Sequence, residues 1–497
     1  MIIAHDLGTT GNKATLMGAD GRVTTSVTAR YGTDFGAGGK VEQDPRTWWQ
    51  AVCTATRRLL EQARCPPEDI AGVSFSGQMM GAVLLDEAGE PVRPAIIWAD
   101  TRSVAQTGQL LERIGMEDAY RITGHRLNPT YSLEKVMWVR DNEPDAFART
   151  RHVVLAKDYV AYLLTGALVT DPSDASSTNA YDQSTGAWSR EILDAASIPV
   201  GLLPEIVPST TVIGTVTAEA AGQTGLLAGT PVVIGGGDGP MGALGAGRVD
   251  AGSGAYCYLG SSSWVSYVAD QPLHDPRMRS MTFNHVIPGQ FVPTATMQAG
   301  GAAIEWITGV LAPGEETRFA RLLSGSVDVR ASDDGLYFLP YLLGERSPYW
   351  NPNARAVFVG LARHHGPEHL ARAVVEGVAF NLYSGLRAFL ENGADVDQID
   401  VIGGGANSPM VLQELSDTWG VPVRRGRLVD EATSLGAAIV GGVGVGLFPD
   451  FEIARRLTAW EDASLPNRAT HERRLRAHER FVDAYLRLEP WFDAGAA

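Results

Sequence analysis

Two aspartates in this chain follow apolar segments and stand beside glycines. Asp6 lies in the stretch DLGTTGNKATLM between two predicted strands, and Asp238 follows the apolar run of VVIGGGDGP. Carboxylate oxygens bind hard cations such as Mg²⁺ and accept protons from hydroxyl groups. Both positions also have structural explanations, because Asp and Thr cap turns and Asp begins helices. The two stretches alone leave both explanations open.

The turn after Asp6 recurs in the second half of the chain. The Leu-Gly pair that begins at Leu7 and precedes two threonines returns at Leu259, where serines follow it. Repetition over about half the chain indicates two related domains, and strands mixed with helices predict an α/β fold. Two further pairs of stretches support the repeat. The first pair is GVSFSGQMMG (72–81) with DVIGGGANSPM (400–410). The second pair is GGGDGPMGALGAG (235–247) with EATSLGAAIVGGVGVG (431–446), and the small residues of these two stretches predict tightly packed helices.

Two related hairpin loops, one in each domain, can face each other across a cleft and hold a polyphosphate. Each offers backbone N–H groups and short hydroxyls, which bind phosphate without many lysines. The chain has only four lysines and no G-x-x-x-x-G-K-[ST] motif, which argues against a P-loop enzyme. Phosphoryl transfer needs positioning, charge stabilisation, Mg²⁺ and a carboxylate base. This chemistry predicts Asp6 near Mg²⁺ and Asp238 as the base.

The bulk composition narrows the class of protein. The 497 residues carry a formal charge of −16 and are 44% hydrophobic, so neither nucleic acid nor an anionic membrane is expected as a partner. Three unpaired cysteines and the lack of a basic, apolar leader segment predict a cytoplasmic protein. The apolar run LGAAIVGGVGVGLF falls short of the roughly 20 residues that a membrane span needs.

Two competing motifs are present. The stretch GDGPMG, at 237–242, matches the dinucleotide-binding pattern G-x-G-x-x-G, but a dehydrogenase would leave the repeated hairpins unexplained. His364, His365 and His369 stand together in HHGPEH, where a Gly-Pro loop favours a solvated turn over a metal site.

Nine short motifs follow one another along the chain, in the order DLGTTGNKA, VEQDPRTWW, SGQMMG, IIWADTR, KDYVAYLLTG, GGGDG, LGSSS, GGGANS and EATSLGAA. In this order they resemble the FGGY carbohydrate kinases over nearly the whole chain, and most of all their xylulokinase branch. A stretch at 359–376, VGLARHHGPEHLARAVVE, is similar to the C-terminal signature segment of that family.

This resemblance implies two ribonuclease H-like domains of the actin, hexokinase and Hsp70 type, at 1–246 and 247–497, closing over a deep cleft. It implies an ATP-dependent sugar kinase with Asp238 as catalytic base and Asp6 near Mg²⁺, directly or through water. The residues that it assigns to the sugar are Gln78, Met79, Met80, Trp98, Asp100, Arg102 and Asp238. Those that it assigns to ATP and phosphate are Gly8, Thr9, Thr10, Lys13, Gly260, Ser261, Ser262, Gly300, Gly301, Gly403, Gly404, Gly405 and Asn407.

At two positions that the resemblance places near the sugar, this chain differs from the usual xylulokinase sequence. Met80 stands where xylulokinases usually have His, and Gly239 where they usually have Asn, so two polar contacts are missing. Ser261 replaces a common Thr but keeps the hydroxyl. The expected substrate is a ketopentose such as xylulose, with gluconate, a polyol or another sugar as the alternative. A catalytically silent sensor and a partner-driven ATPase are further alternatives, and the branch makes a homodimer possible.

Overall fold

Two mixed β-sheets form the centre of the molecule, in a computed structural model that describes residues 1–314, 318–326, 328–426, 432–461 and 463–494. Glu431 of the predicted EATSLGAA motif lies outside the described residues. The strands are β1 (Ile2–Leu7), β2 (Gly11–Met17), β3 (Val23–Arg30), β4 (Asp34–Phe35), β5 (Val41–Gln43), β6 (Gly72–Gly77), β7 (Val83–Leu85), β8 (Ala95–Ile96), β9 (His152–Val154), β10 (Val169–Thr170), β11 (Tyr181–Asp182), β12 (Ala187–Trp188), β13 (Glu205–Ile206), β14 (Val212–Thr215), β15 (Pro231–Val233), β16 (Gly236–Gly237), β17 (Ala255–Leu259), β18 (Ser263–Tyr267), β19 (Met281–Asn284), β20 (Phe291–Met297), β21 (Tyr337–Leu339), β22 (Val357–Val359), β23 (Ile399–Ile402) and β24 (Val423–Arg425).

Helices surround both sheets, and short 3₁₀ turns, among them Ser176–Thr178 and Gly404–Asn407, join some of the elements. The helices are α1 (Pro45–Ala63), α2 (Val104–Arg113), α3 (Met116–Thr123), α4 (Ser132–Asn142), α5 (Pro144–Arg149), α6 (Ala156–Thr165), α7 (Pro172–Ala175), α8 (Arg190–Ala196), α9 (Ala218–Thr224), α10 (Asp238–Gly245), α11 (Gly301–Leu311), α12 (Arg318–Gly325), α13 (Pro367–Glu391), α14 (Pro409–Trp419), α15 (Ala432–Gly444), α16 (Ile453–Leu457) and α17 (Arg468–Ala494). Within the described ranges, no helix is both long and apolar enough to cross a bilayer.

The two sheets share one topology. The first has the order β14-β15-β6-β1-β2-β3, with β16 beside β6, and the second has the order β19-β20-β18-β17-β23-β24. In both, the first hairpin is antiparallel and its first strand has a parallel neighbour, β6 or β23. The predicted α/β class and the predicted repeat are therefore confirmed. The predicted boundary at residue 246 falls between the two sheets and stays a prediction.

Strand β1 is buried on both faces, and its alternating side chains meet two different layers. Ile3 and Leu7 pack with helix α1, while Ile2 and Ala4 pack with α10 and α15. Helix α1 begins directly after Asp44, whose side chain accepts a hydrogen bond from the Arg46 N–H. Since side chains alternate along a strand, Asp6 lies on the same face of β1 as Ile2 and Ala4, which is the face toward α15.

Helices α10 and α15 cross at very close range, as their small residues predict. A Cβ atom added to Gly245 would lie 1.8 Å from the carbonyl oxygen of Ala432, and one added to Gly436 would lie 2.1 Å from that of Met241. Only glycine permits this approach of two backbones. The crossing joins a helix that follows the first sheet to one that follows the second.

Candidate active site

A cavity of about 150 Å³ is lined by residues from both halves of the chain, including residues within β18, β19 and β20 of the second sheet. Its wall combines residues from before β17, the N-terminal half, with residues from β17 onward, the C-terminal half. The N-terminal half contributes Met79, Met80, Trp98, Asp238 and Gly239, and the C-terminal half contributes Tyr256, Ser262, Ser263, Trp264, Met281, Phe283, Thr294, Thr296, Met297, Gln298 and Arg346.

Asp238 is the first residue of α10 and follows the two-residue strand β16. Burial and the negative charge of Asp6 raise the pKa of Asp238 to about 7, although the backbone N–H groups of Asp238 and Gly239 oppose the rise. A carboxyl group with a pKa near neutrality is ionised often enough to accept a proton and basic enough to keep it.

Asp6 lies near the end of β1, opposite Lys13 of β2. The Thr433 hydroxyl, on α15, donates a hydrogen bond of 2.6 Å to its Oδ2 atom. Burial raises the pKa of Asp6, while hydrogen bonds from Thr433 and Ser76 and the charge of Lys13 oppose that rise. Asp6 does not line the cavity, but its charge acts on Asp238, and elements that are remote from one another in the sequence hold its carboxylate in place.

The predicted first phosphate loop, Gly8–Thr10, is fixed from several directions. Gln43 Nε2 donates to the Thr9 carbonyl oxygen at 2.6 Å, and Trp98 Nε1 donates to the Thr9 hydroxyl at 2.8 Å. The Tyr31 hydroxyl donates to the carbonyl oxygen of Gly8. Because Trp98 also lines the cavity, it connects this loop directly to the cavity wall.

The predicted second phosphate loop, Gly260–Ser262, packs against the start of α11. The Gly301 N–H donates to the Gly260 carbonyl oxygen at 2.7 Å, and a Cβ atom at Gly300 would lie 1.9 Å from the Ser263 hydroxyl. Backbone therefore meets backbone here, and Ser262 extends to the cavity.

The predicted adenosine residues lie beside Leu259, the last residue of β17. Gly403 has φ +93°, and a Cβ atom there would lie 2.7 Å from the Leu259 carbonyl oxygen. Gly405 packs equally closely on the Leu259 side chain, and Gly404 begins the short 3₁₀ turn that ends at Asn407. Arg425 donates a hydrogen bond of 2.5 Å to Asn407 Oδ1.

Met79 and Met80 both line the cavity, as predicted for the sugar residues. Met80 has φ +61°, a left-handed conformation that is uncommon for a residue with a long side chain. Its N–H donates to the Ser177 hydroxyl at 3.1 Å, and its carbonyl oxygen accepts from Lys135 Nζ at 2.6 Å. These buried partners hold the Met80 backbone in place.

Three predicted sugar residues lie behind the wall rather than on it. Gln78 donates to Gln43 Oε1 at 2.9 Å. Arg102 and Asp100 form an ion pair of 2.6 Å, in which Asp100 is completely buried and also accepts a bond from the Val41 N–H. Their contact with a sugar stays a prediction. Gln78 bonds to Gln43, the partner of Thr9, whereas Asp100 and Arg102 stabilise the loop that carries Trp98.

Sequence reasoning missed several residues of the site. Tyr256 and Trp264 face the cavity from neighbouring strands, and Trp264 Nε1 donates to the Tyr256 hydroxyl at 3.1 Å. Arg346 reaches the cavity from the loop after β21, and a guanidinium nitrogen lies 3.8 Å from the sulfur atoms of Met80 and Met281. The alternation of side chains along β17 could have indicated that Tyr256 faces the site. Arg346 lies in a loop, where the sequence has no periodic pattern that would have indicated it.

Comparison with known proteins assigns the chain to a protein family. The N-terminal domain of the FGGY family of carbohydrate kinases matches residues 1–245, and the C-terminal domain matches residues 255–445. The chain belongs to the FGGY family of carbohydrate kinases. The resemblance drawn from the motifs is confirmed, and the protein is a sugar kinase of the xylulose kinase-like type, with ATP as co-substrate.

Relatives within the family include kinases of different sugars. The xylulose kinase of Bacillus subtilis is 32% identical over 91% of this chain and 89% of its own length. The gluconokinase of the same bacterium is also 32% identical, with the same coverage. The ligand-bound xylulose kinase of Lactobacillus acidophilus is 27% identical and covers 99% of both chains, with a TM-score of 0.94. Overall similarity thus identifies the family without selecting one sugar.

Proposed function

We propose that this FGGY kinase transfers the γ-phosphoryl group of Mg-ATP to a hydroxyl of a small sugar, with Asp238 as the general base. The observation that carries this proposal is the position of Asp238, which lines the cavity together with Ser262 of the second hairpin loop and Trp98, the partner of the first. A base, two phosphate loops and a sugar-sized cavity meet at one point.

In the proposed reaction, a sugar hydroxyl lies within hydrogen-bond reach of the Asp238 carboxylate. Asp238 accepts the hydroxyl proton while the sugar oxygen forms a bond to the γ-phosphorus atom and the bond from that phosphorus to the ADP oxygen breaks. Backbone N–H groups and hydroxyls of Gly8–Thr10 and Gly260–Ser262 position the phosphates. Closure of the two halves over the bound ligands would exclude water, which favours the sugar hydroxyl as acceptor.

Asp6 fits the role of the Mg²⁺ carboxylate. Mg²⁺ keeps several water molecules and binds one or two carboxylates together with substrate phosphates, so a single aspartate at the phosphate loop suffices. Asp6 offers oxygen ligands at the end of β1, and Thr433 fixes the orientation of the carboxylate. Bound Mg²⁺ would neutralise charge on the phosphates during transfer.

The proposed substrate is a ketopentose such as xylulose, in line with the similarity to xylulose kinases. A second candidate, a sugar acid such as gluconate, is favoured by Arg346. Its guanidinium lines the cavity beside two methionine sulfur atoms, and the carboxyl group on which its charge acts is that of the neighbouring Glu345, whose own pKa burial raises to about 8. A substrate carboxylate would supply an ionised partner.

The test is ADP release with Mg-ATP across matched ketopentoses, aldoses, polyols and sugar acids. We expect one class to give turnover, and the Asp238→Asn variant to lose about 10²- to 10⁴-fold in kcat while ATP still binds. ATP affinity measured by calorimetry is the control. Full turnover by Asp238→Asn would exclude Asp238 as the base, and ATP binding without turnover on any compound would support the sensor alternative.

A further inference from the structure

A short buried segment, Asp171–Thr178, contacts three different walls of the cavity. It comprises α7 and the 3₁₀ turn that follows, and its sequence is DPSDASST. We call it the serine segment. Every one of its described side chains except that of Pro172 is at most 4% exposed. None of its residues lines the cavity itself.

Each of three serines in this segment accepts a backbone N–H from an element of the cavity wall. The Ser173 hydroxyl accepts from Gly237, immediately before Asp238, at 2.9 Å. The Ser177 hydroxyl accepts from Met80 at 3.1 Å. The third bond crosses to the C-terminal half, where the Asn284 N–H donates to Ser176 at 3.0 Å.

The hydroxyl hydrogens are used inside the segment, which orients the oxygen lone pairs outward. Ser173 donates to Asp171 Oδ2 at 2.6 Å, Ser176 donates to the Ser173 carbonyl oxygen at 2.8 Å, and Ser177 donates to the Asp174 carbonyl oxygen at 2.8 Å. A hydroxyl has one hydrogen, so each serine that donates inward can only accept from the cavity wall.

A buried lysine anchors the segment. Lys157 Nζ lies 2.6 Å from Asp158, 3.0 Å from Asp171 and 3.2 Å from Asp174, and all four side chains are completely buried. Moving such charges out of water is costly, and apolar packing of the same volume often stabilises a fold equally well. We therefore interpret this cluster as a device that positions the serine segment more than one that stabilises the fold.

The strand before Asp238 is held through its backbone, which pairs with β6 and also donates a hydrogen bond to Ser173. Residues 235–237 are glycines, and a Cβ atom at Gly236 would lie 2.6 Å from the Ser173 hydroxyl oxygen. Without side chains, this backbone depends on its hydrogen bonds and on its contact with Ser173. A displacement of about 1 Å at a catalytic group can lower a rate 10²-fold.

We propose that the serine segment is a positioning element, in which Ser173 sets the place of Asp238 and Ser177 sets the place of Met80. This inference rests on the proposed function in that Asp238 is taken as the base. Ser173 and Ser177 act through the backbones that they hold and touch neither sugar nor phosphate.

The kinetic test compares Ser173→Ala with Ser209→Ala. Ser209 is a matched control, because its buried hydroxyl donates to the same Asp171 Oδ2 atom at 2.8 Å but accepts no N–H from the cavity wall. We expect Ser173→Ala to lower kcat about tenfold with little change in KM for the sugar, and Ser209→Ala to keep wild-type kcat. Ser177→Ala should instead raise KM severalfold.

Hydrogen exchange supplies a readout that needs no substrate. In Ser173→Ala, the Gly237 amide loses its acceptor, so the peptide containing it should exchange at least about tenfold faster, while Ser209→Ala leaves it unchanged. Equal losses of kcat in both alanine variants, or unchanged exchange at Gly237, would overturn the inference. Faster exchange together with full activity of Asp238→Asn would support the positioning of the backbone and reject Asp238 as the base.

Discussion

Asp6 and Asp238 are two carboxylates at one site with different surroundings. Burial raises the pKa of both carboxyl groups. At Asp6, hydrogen bonds from Thr433 and Ser76 and the charge of Lys13 oppose this rise, whereas at Asp238 the charge of Asp6 adds to it. This asymmetry fits the proposed roles, in which Asp6 is held beside Mg²⁺ and Asp238 exchanges a proton.

The pH dependence of turnover should report this pair. Because the base must be ionised, kcat/KM for the sugar should rise with pH and level off above about 7, the pKa of Asp238. Removing the negative charge of Asp6 lowers the pKa of Asp238, so the rising limb of the Asp6→Asn variant should move to lower pH even though its overall rate falls. The measurement is kcat/KM at saturating ATP from pH 5 to about 9.

ATP affinity over the same pH range is the control for this profile. It separates ionisation of the base from a pH-dependent change in nucleotide binding. A rising limb at the same pH in Asp6→Asn and in the wild type would mean that the two carboxylates do not interact, contrary to their placement in the structure.

Local sequence patterns predicted the residues of the site that lie at strand ends, and missed those brought there by packing. Asp6, Asp238 and both glycine loops could be named because an acid or glycine after an apolar strand has a recognisable pattern. Thr433 lies 427 residues from its partner Asp6, and that distance leaves no local signal. Arg346 and the serine segment were missed for the same reason, since only the fold brings them to the cavity.

At the scale of elements, the two repeated hairpins differ at the position for which Mg²⁺ binding is proposed in the first. Asp6 and Tyr258 occupy corresponding positions, each one residue before the Leu-Gly pair of its hairpin. Tyr258 stacks on Trp264, with ring centroids 4.3 Å apart, so this position in the second hairpin supports packing. The sequence predicted that the hairpin is repeated. The different environments of Asp6 and Tyr258 became visible only in the structure, which shows the side chains packed around each residue.

The crossing of α10 and α15 makes a prediction about glycines. Gly245→Ala places a methyl group against the Ala432 carbonyl oxygen and should destabilise the protein by about 2 kcal/mol or more, because the helices must separate. Gly242→Ala is the control on the same helix, since the nearest atom to its Cβ would lie at an ordinary 3.7 Å. Calorimetric unfolding should give a lower Tm for the first variant only, and equal Tm values would contradict the tight crossing.

At the scale of the whole molecule, the cavity depends on both halves of the chain. Asp238 and Met80 come from the N-terminal half, and Ser262, Trp264 and Arg346 from the C-terminal half. A rotation of one half against the other would therefore open or close the cavity, and closure would exclude water from ATP at the moment of transfer.

Small-angle scattering can detect this closure. We expect the radius of gyration to fall when a sugar substrate and ATP bind together, because the halves approach each other. The Asp238→Asn variant is suited to the experiment, since it should bind both ligands without turning them over and so hold the ternary complex. ATP alone and sugar alone serve as controls, and they show which ligand drives the change. Superimposable scattering curves with and without both ligands would mean that the two halves keep one arrangement, and that the cavity admits sugar without a rotation of the domains.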